Sequence, residues 1–504
     1  MSFIFAVLLL AAPCDSLKSV SLPNTTITMA QTVAAGQFTP PGAGARGAAA
    51  FKEVPEFCRV AATLKPTSDS DIKIEVWMPT SGWNGNLQAA GNGGLAGSIG
   101  FAAMAGFVRA GFAATGTDTG HEGMNGEFIP GHPEKLKDYA YRAFHEMTAA
   151  SKAIIKAYYG EGPKLSVLNN SGGGGRQALM EAQRYPADYD AIAVPGTVDV
   201  YATKLHFGQS WVYEATHKTP ESYIPPAKYP AIHKAALEKC DASVDGAKDG
   251  IIDDPSSCAF DPKVIECKGA DDNTCLTPPQ VEAARMIYTP PTHARTKERL
   301  YSPLFVGSEL GWEQMAGPEL FPNADEYFKW VVFGDPNWTY KKRPVNYDAD
   351  WTLANKTEIK AIMNAENPDM SAFAKRGGKL IVVGGWADTG TAPGGSVEYY
   401  NSVVKKMGEK QTRDFFRLFM VPGMNHQMGT NGIENFNFDS LKVVMDWKAT
   451  GKAPDQIIAT RYQNGKEVGK RLICAYPAVA VYKGAGAQDD PANFECRERK
   501  VSKP

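Results

Sequence analysis

Apolar runs of strand length alternate with amphipathic stretches in the first part of the chain. The strand-like runs, each followed by a turn or a glycine-containing segment, are Ile72–Met78, Asn86–Ala90, Gly111–Thr115 and Lys164–Leu168. Helical periodicity predicts a long amphipathic helix over Glu134–Tyr158 and a shorter helix over Arg176–Arg184. Strands that alternate with helices predict a parallel α/β sheet, so we expect the fold class to be α/β.

This pattern breaks between residues 200 and 372 and then returns. The intervening stretch is rich in proline, tryptophan, tyrosine and acidic residues and holds four of the eight cysteines. Beyond it, strands are predicted over Lys379–Val383 and Phe415–Val421, with a helix over Ser396–Met407 between them. A chain of 504 residues exceeds what one hydrophobic core usually organises. We therefore predict an α/β core over residues 60–199 and 373–504, with a lid domain inserted over residues 200–372.

Composition and net charge argue against some classes of binding partner. A hydrophobic fraction of 43% and a charged fraction of 21% describe an ordinary globular protein and argue against extensive disorder. The 53 basic and 55 acidic residues give a net charge of only -2, without the basic excess typical of nucleic-acid binding. After the N-terminal segment no apolar run is long enough to cross a bilayer. We expect neither a nucleic-acid nor a membrane partner, and the sequence does not specify an oligomeric state.

The cysteines and the N-terminus favour an exported protein. None of the eight cysteines has the spacing of a zinc site, so disulfides are the better interpretation. Short separations predict the pairs Cys240–Cys258 and Cys267–Cys275, Cys474–Cys496 closes the C-terminus, and Cys14 and Cys58 remain as the fourth pair. Disulfides indicate an oxidising compartment. Residues 1–13 are apolar with small residues at their end, and we interpret them as a truncated signal segment without a basic start. A secreted or periplasmic location is expected.

Three strand ends carry residues suited to ester chemistry. The predicted strand ending at Leu168 runs through a glycine-rich turn into a helix, which is the arrangement that presents the nucleophile of α/β-hydrolases. A phosphate-binding loop fits less well because no Lys-Ser/Thr follows the glycines. Asp388 and then His426 follow the next two predicted strands of the core. An acid and then a histidine after such a turn is the chain order of the α/β-hydrolase triad.

At these motifs the chain resembles the tannase and feruloyl esterase family over nearly its whole length. The stretches that carry the resemblance are Gly91–Gly94, Thr117–His121, Gly131–Lys135, Gly175–Gln177, Met180–Pro186, Asp249–Pro255, Gly385–Asp388, Val421–Met424 and His426. The resemblance implies a secreted serine esterase with an α/β-hydrolase core and a lid. It also implies that the substrate is a gallate-like or ferulate-like ester of an aromatic acid.

The chain departs from the family pattern at the nucleophile. The family turn reads Gly-Cys-Ser-Thr-Gly-Gly-Arg, and its cysteine is bonded to a second cysteine directly after the catalytic histidine. Counted back from Arg176, the cysteine position holds Ser171 and the serine position holds Gly172. Gln427 follows His426 in place of the second cysteine.

Two alternatives follow from this departure. In the first, the glycine run lets the turn slip by one residue, so that Ser171 attacks the ester. His426 is then the base, Asp388 orients it, and the N–H groups of Gly93 and Gly172 hold the oxyanion.

In the second alternative, Ser171 hydrogen-bonds Gln427 in place of the missing disulfide, and no nucleophile remains. The pair formed by His426 and Asp388 then either activates a water molecule or belongs to a catalytically silent protein that binds an aromatic ligand in a lid pocket. Residue pattern alone does not decide between the two alternatives.

An acidic loop in the predicted lid suits calcium. Asp241, Asp245 and Asp249 stand four residues apart in a glycine-punctuated segment, and hard oxygen ligands at such a spacing are typical of Ca²⁺ sites. The family resemblance implies a structural calcium ion here, held by the aspartates and by the carbonyl groups of Ala247 and Ile251.

Overall fold

The computed structural model describes residues 11–42, 47, 49–428 and 435–498, and of residue 357 the backbone alone. Residues 1–10 of the predicted signal segment lie outside this range. The strands are β1 Thr25–Val33, β2 Phe57–Leu64, β3 Ile72–Pro79, β4 Asn86–Ala90, β5 Ala113–Thr117, β6 Leu165–Asn169, β7 Ala191–Val194, β8 Lys379–Gly385, β9 Phe416–Val421, β10 Asn435–Asn437, β11 Gln456–Gln463, β12 Lys466–Cys474, β13 Ala478–Tyr482 and β14 Phe494–Glu498.

Helices occupy most of the remaining regular structure. The α-helices are α1 Phe101–Arg109, α2 Pro133–Lys137, α3 Ala143–Tyr159, α4 Gly172–Arg184, α5 Ala202–His217, α6 Tyr229–Cys240, α7 Pro278–Tyr288, α8 Glu313–Ala316, α9 Pro322–Glu326, α10 Ala349–Ala354, α11 Thr357–Met363, α12 Ser371–Lys375, α13 Gly394–Met407, α14 Glu409–Arg413 and α15 Ser440–Thr450. Two segments, Asp138–Arg142 and Tyr327–Phe333, are π-helical. Short 3₁₀ helices include Cys14–Ser19, Ala49–Phe51, Asp241–Ser243 and Glu309–Gly311.

The chain forms two compact units, of which the first comprises the residues up to 169 together with 180–192. Its strands follow the order β1-β2-β3-β5-β4-β6. β1, β2, β3 and β5 pair antiparallel, whereas β4 is parallel to both β5 and β6. One face of this sheet is covered by an aromatic cluster in which Trp77, fully buried, packs against Phe38 and Phe57.

The second unit comprises residues 170–179 and those from 193 onward, and it contains the whole predicted lid. Its strands β8 and β9 are parallel and adjacent, with Gly385 opposite Val421 at their carboxyl ends. β10, β11 and β12 form an antiparallel sheet, and β13 pairs with β14. The alignment of the ends of β8 and β9 places the residues that follow each strand side by side.

The α/β fold class is confirmed, and the elements predicted from periodicity are present with shifts at their ends. The helix predicted over Glu134–Tyr158 exists as α2, the π-helical segment and α3, and it is followed by Gly160, which has a φ of 82°. The helix predicted from Arg176 begins four residues earlier, at Gly172. The prediction did not include β1, β2, β7 or the strands after β9.

All four predicted disulfides are confirmed: Cys14–Cys58, Cys240–Cys258, Cys267–Cys275 and Cys474–Cys496. The first lies within the first unit and the others lie within the second. Among the described residues, no helix has the length and apolar character needed to span a membrane.

Candidate active site

The predicted acid and histidine form a hydrogen-bonded pair. Asp388 follows β8 and His426 follows β9, and His426 Nδ1 lies 2.9 Å from Asp388 Oδ2. The other oxygen of the fully buried Asp388 accepts hydrogen bonds of 2.8 Å from the backbone N–H groups of Gly390 and Thr391. A carboxylate oriented in this way favours the tautomer with hydrogen on Nδ1. The Nε2 atom of His426 is therefore the basic nitrogen.

Close backbone packing explains how the two strand ends meet. A Cβ atom on Gly385 would lie 2.1 Å from the carbonyl oxygen of Asn425, so only glycine fits at this position. The N–H of Ala387 donates to the carbonyl of Met424 at 3.0 Å. The glycine at the end of β8 thus lets the loop that bears His426 approach the loop that bears Asp388.

Backbone hydrogen bonds with residues 195–197 also hold the loop that bears His426. The N–H of Thr197 donates to the carbonyl of His426 at 3.0 Å, and the N–H of Met428 donates to the carbonyl of Pro195 at 3.1 Å. Between them, a Cβ atom on Gly196 would lie 2.6 Å from the carbonyl oxygen of His426. These contacts fix the position of the loop without a covalent bond.

The sharp turn before α4 has its elbow at Gly172. This residue has a φ of +55°, a left-handed conformation that favours glycine and that is strained for other residues. The three atoms nearest to an ideal Cβ on Gly172 all belong to the His426 ring, and the nearest is Nε2 at 2.7 Å. The imidazole therefore faces the position that a side chain at residue 172 would occupy.

The structure has the geometry of the second alternative at Ser171. Its hydroxyl donates to Gln427 Oε1 at 2.6 Å, and no described hydrogen bond joins it to His426. The slipped turn is not observed, because the positive φ falls on Gly172 and leaves Ser171 one residue ahead of the elbow. Because Gly172 is the elbow residue, the N–H group that follows the elbow, where an oxyanion donor is expected, belongs to Gly173 and not to Gly172. Gly93 belongs to the first unit, and its role in the oxyanion hole stays a prediction.

Asp199 is a residue near the site that the sequence analysis missed. It follows Val198, which pairs with Gly172, and its carboxylate lies 3.6 Å from the guanidinium of the buried Arg176. Burial raises the pKa of Asp199, while Arg176 and His426 act to lower it. Burial alone would lower the pKa of His426, but the carboxylates of Asp388 and then Asp199 outweigh it, so that this pKa is raised. In the sequence, the one available sign of this residue's role is that it is an isolated aspartate after a buried strand.

We predict that Asp199→Asn shifts the acid limb of the pH profile of kcat/KM to lower pH. The base must be neutral to accept a proton, so activity falls as the pH drops through the pKa of His426. Loss of the Asp199 charge removes one of the influences that raise this pKa, and the limb moves downward. The test is to measure kcat/KM across pH for the wild type and for Asp199→Asn. Asp489→Asn, which removes one negative charge at an exposed position, is the control. An unmoved limb, or one displaced to higher pH, would contradict it.

The acidic loop predicted to hold calcium is compact and partly buried. The backbone N–H groups of Ala247, Gly250 and Ile251 donate to carboxylate oxygens of the loop at 3.1, 3.2 and 3.1 Å. Asp241 Oδ1 and Asp245 Oδ2 are buried and have no hydrogen-bond donor. Two such oxygens in one loop fit a hard divalent cation.

Two partners of this loop were not predicted. The buried guanidinium of Arg471 contacts Asp249 Oδ2 at 2.6 Å and also contacts Asp253. It lies 3.6 Å from Asp245 Oδ2. Arg471 therefore neutralises part of the negative charge of the acidic cluster.

Comparisons with known proteins agree with this architecture. The model of the family described as tannase and feruloyl esterase matches residues 58–497. An uncharacterized esterase of Xanthomonas campestris pv. campestris is 35% identical, with 96% of this chain and 91% of that protein covered. A Neosartorya fischeri protein named "Probable feruloyl esterase B-2" is 31% identical, with 96% and 95% covered.

A solved structure gives the same result in three dimensions. The crystal structure of feruloyl esterase B from Aspergillus oryzae superposes with a TM-score of 0.86 at 28% identity, and the match covers 96% of this chain and 99% of that one. The resemblance inferred from the motifs is therefore confirmed. This chain, with its Asp388–His426 pair facing the elbow, belongs to the tannase and feruloyl esterase family of ester hydrolases.

Proposed function

We propose that the protein is an exported esterase that cleaves esters of aromatic carboxylic acids, and that the Asp388–His426 pair activates water in place of a serine. The observation that carries the proposal is the position of His426 Nε2, 2.7 Å from the absent Cβ of Gly172. The imidazole occupies the space that a side chain at position 172 would need, so no side-chain hydroxyl stands between Gly172 and the basic nitrogen. In the absence of a serine at the elbow, a water molecule hydrogen-bonded to Nε2 beside the ring is the group that gives up its proton.

The proposed reaction needs no covalent intermediate on the protein. His426 Nε2 takes a proton from the water, and the hydroxide attacks the carbonyl carbon of the ester. The tetrahedral intermediate then expels the alcohol, which takes the proton back from His426, so that one acid and one alcohol are released. Asp388 stabilises the imidazolium ion in between. The N–H of Gly173, at the start of α4, is suited to stabilise the oxyanion.

The aromatic substrate class is supported by the relatives. Similar proteins are named feruloyl esterases. Export is supported by the four disulfides, which persist in oxidising compartments.

The test compares methyl ferulate and methyl gallate with a straight-chain methyl ester, using wild type, Ser171→Ala and Gln427→Ala. We expect the wild type to prefer the aromatic esters, without a burst of released alcohol, because no acyl-enzyme accumulates. Ser171→Ala should retain most of this rate. Gln427→Ala breaks the same hydrogen bond but keeps the serine hydroxyl, so it reports the effect of loosening the loop alone.

Two results would contradict the mechanism. Loss of activity in Ser171→Ala but not in Gln427→Ala would identify Ser171 as a nucleophile after rearrangement. A wild-type rate equal to that of buffer, with aromatic ester still bound, would identify a silent ligand-binding protein.

We also propose that the loop of Asp241, Asp245 and Asp249, with the carbonyl groups of Ala247 and Ile251, binds a structural calcium ion. Chelation with EGTA is then expected to lower the melting temperature, because only the folded chain offers the site. The stabilisation amounts to about 2.7 kcal/mol when free calcium exceeds Kd a hundredfold. Calorimetry with and without EGTA measures it, and Asp245→Asn should abolish the difference. Equal melting temperatures for the wild type in both buffers would exclude the site.

A further inference from the structure

Three side chains of the kinds that bind metal ions lie close together in the first unit, apart from the residues discussed so far. His145 is on α3, Glu181 is in the last turn of α4, and Asp188 follows α4. One potential ligand atom from each residue lies within 4.8 Å of the others. All three residues belong to the same compact unit.

Of the three side chains, Glu181 is the one whose burial is hardest to explain by a structural role alone. Its side chain is 1% exposed, and both carboxylate oxygens are buried without a hydrogen-bond donor among the described residues. Its carboxylate is also close to that of Asp188, and burial together with this like charge raises the pKa of Glu181 well above its usual range. A buried carboxylate beside a second one needs either a proton or a cation to offset the cost of desolvation.

The other two side chains of the cluster contact each other, and a lysine lies beside them. His145 Nδ1 lies 2.6 Å from Asp188 Oδ2, and its ring stacks on Tyr185 with 3.7 Å between ring centroids. Lys152 directs its ammonium group to the backbone carbonyls of Ala187 and Asp188. The His145 side chain is 30% exposed, so solvent and ions reach the cluster from that side.

We propose that His145, Glu181 and Asp188 bind a divalent first-row transition-metal ion, with Zn²⁺ as the best match. Imidazole favours zinc and its neighbours over Ca²⁺ and Mg²⁺, and carboxylates complete the donor set. Three protein ligands leave a position for water on the exposed side of the histidine. The ion would join α3 to the end of α4 and thereby stabilise the first unit.

The experiment uses the full chain after removal of metal with EDTA, followed by calorimetric titration with Zn²⁺ and by the visible spectrum of the Co²⁺ form. We expect one Zn²⁺ per chain at this site, a rise in melting temperature, and binding at least about tenfold weaker in Glu181→Gln and in His145→Asn. Glu181→Gln keeps the shape of a protonated Glu181, so it should fold even if the carboxyl carries a proton. Circular dichroism and the melting temperature of the EDTA-treated variants verify folding.

Two control variants separate this site from other binding. His132 Nδ1 lies 2.6 Å from Asp69 Oδ1 in an exposed pair that resembles the contact of His145 with Asp188 but has no buried third carboxylate. His132→Asn should retain the zinc affinity, and so should Asp245→Asn in the calcium loop. Zinc binding that survives both Glu181→Gln and His145→Asn would overturn the proposal. So would a wild type that binds neither Zn²⁺ nor Co²⁺, since Glu181 would then simply be protonated.

Discussion

Gly172→Ser is expected to raise the rate of ester hydrolysis by about 10²-fold or more. A catalytic serine acting as a unit with its base contributes far more than this in a complete triad, about 10⁶-fold in a well-studied protease. Here the base and its orienting carboxylate are already joined at 2.9 Å, and Gly172 holds the positive φ of an elbow. The new hydroxyl would project toward His426 Nε2, which is the nitrogen that must take its proton.

The substitution has a structural cost that limits the gain. A Cβ atom at 2.7 Å from Nε2 is closer than Cβ contacts in proteins come, so the imidazole must withdraw to admit the serine. Serine in the left-handed conformation costs about 1–2 kcal/mol. We therefore expect a slightly lower melting temperature together with a higher kcat.

The measurement is steady-state hydrolysis of methyl ferulate together with labelling by a fluorophosphonate, which reacts with activated serines. Gly172→Ser should be labelled and should show a burst of released alcohol, and the wild type should show neither. Gly174→Ser is the matched control, because it adds the same hydroxyl two residues beyond the elbow. A folded Gly172→Ser protein that is neither labelled nor faster would mean that His426 is not poised as a base.

His426→Ala is expected to lower kcat/KM of the wild type by about 10²–10⁴-fold, the usual contribution of a general base. The three atoms nearest to an ideal Cβ on Gly172 all belong to the His426 ring, so among the described residues no other basic nitrogen lies as close to it. Asp388→Ala should lower the rate as well, because the imidazole then loses its orienting partner. The double variant should lose little more than His426→Ala, since the two residues act as one unit.

Ferulate release measured by chromatography gives these rates, and His132→Ala serves as a control for the loss of a histidine outside the site. An unchanged rate in His426→Ala would show that hydrolysis occurs elsewhere on the protein. Additive losses in the double variant would show that Asp388 acts independently of the histidine.

The sequence predicted the Asp388–His426 pair because both residues directly follow buried strands, and the carboxyl ends of adjacent parallel strands share one edge of a sheet. It left the state of Ser171 open for an equally physical reason. A shift of one residue within a run of glycines changes no periodicity, so only the φ of Gly172 and the hydrogen bond to Gln427 distinguish the alternatives.

Long-range partners were the main omission. Arg471 reaches Asp249 and Asp253 across 222 and 218 residues, and no local pattern indicates such a contact. Asp199 was missed because its neighbour Arg176 lies in another element. The later strands were missed because strand β11 is mostly exposed and its alternation is incomplete.

The hydrogen bond between Ser171 and Gln427, at positions where the family resemblance implies a cystine, has a consequence for how the chain forms its native disulfides during oxidative refolding. Eight cysteines allow 105 pairings, and one further pair would multiply that number about ninefold. The four native bonds close loops of 8, 18, 22 and 44 residues, whereas a bond between positions 171 and 427 would span 256. The entropic cost of closing a loop grows with its length. All four disulfides therefore join cysteines that are at most 44 residues apart along the chain. The contact across 256 residues, between Ser171 and Gln427, is a hydrogen bond, which breaks and re-forms and so does not hold wrong partners together.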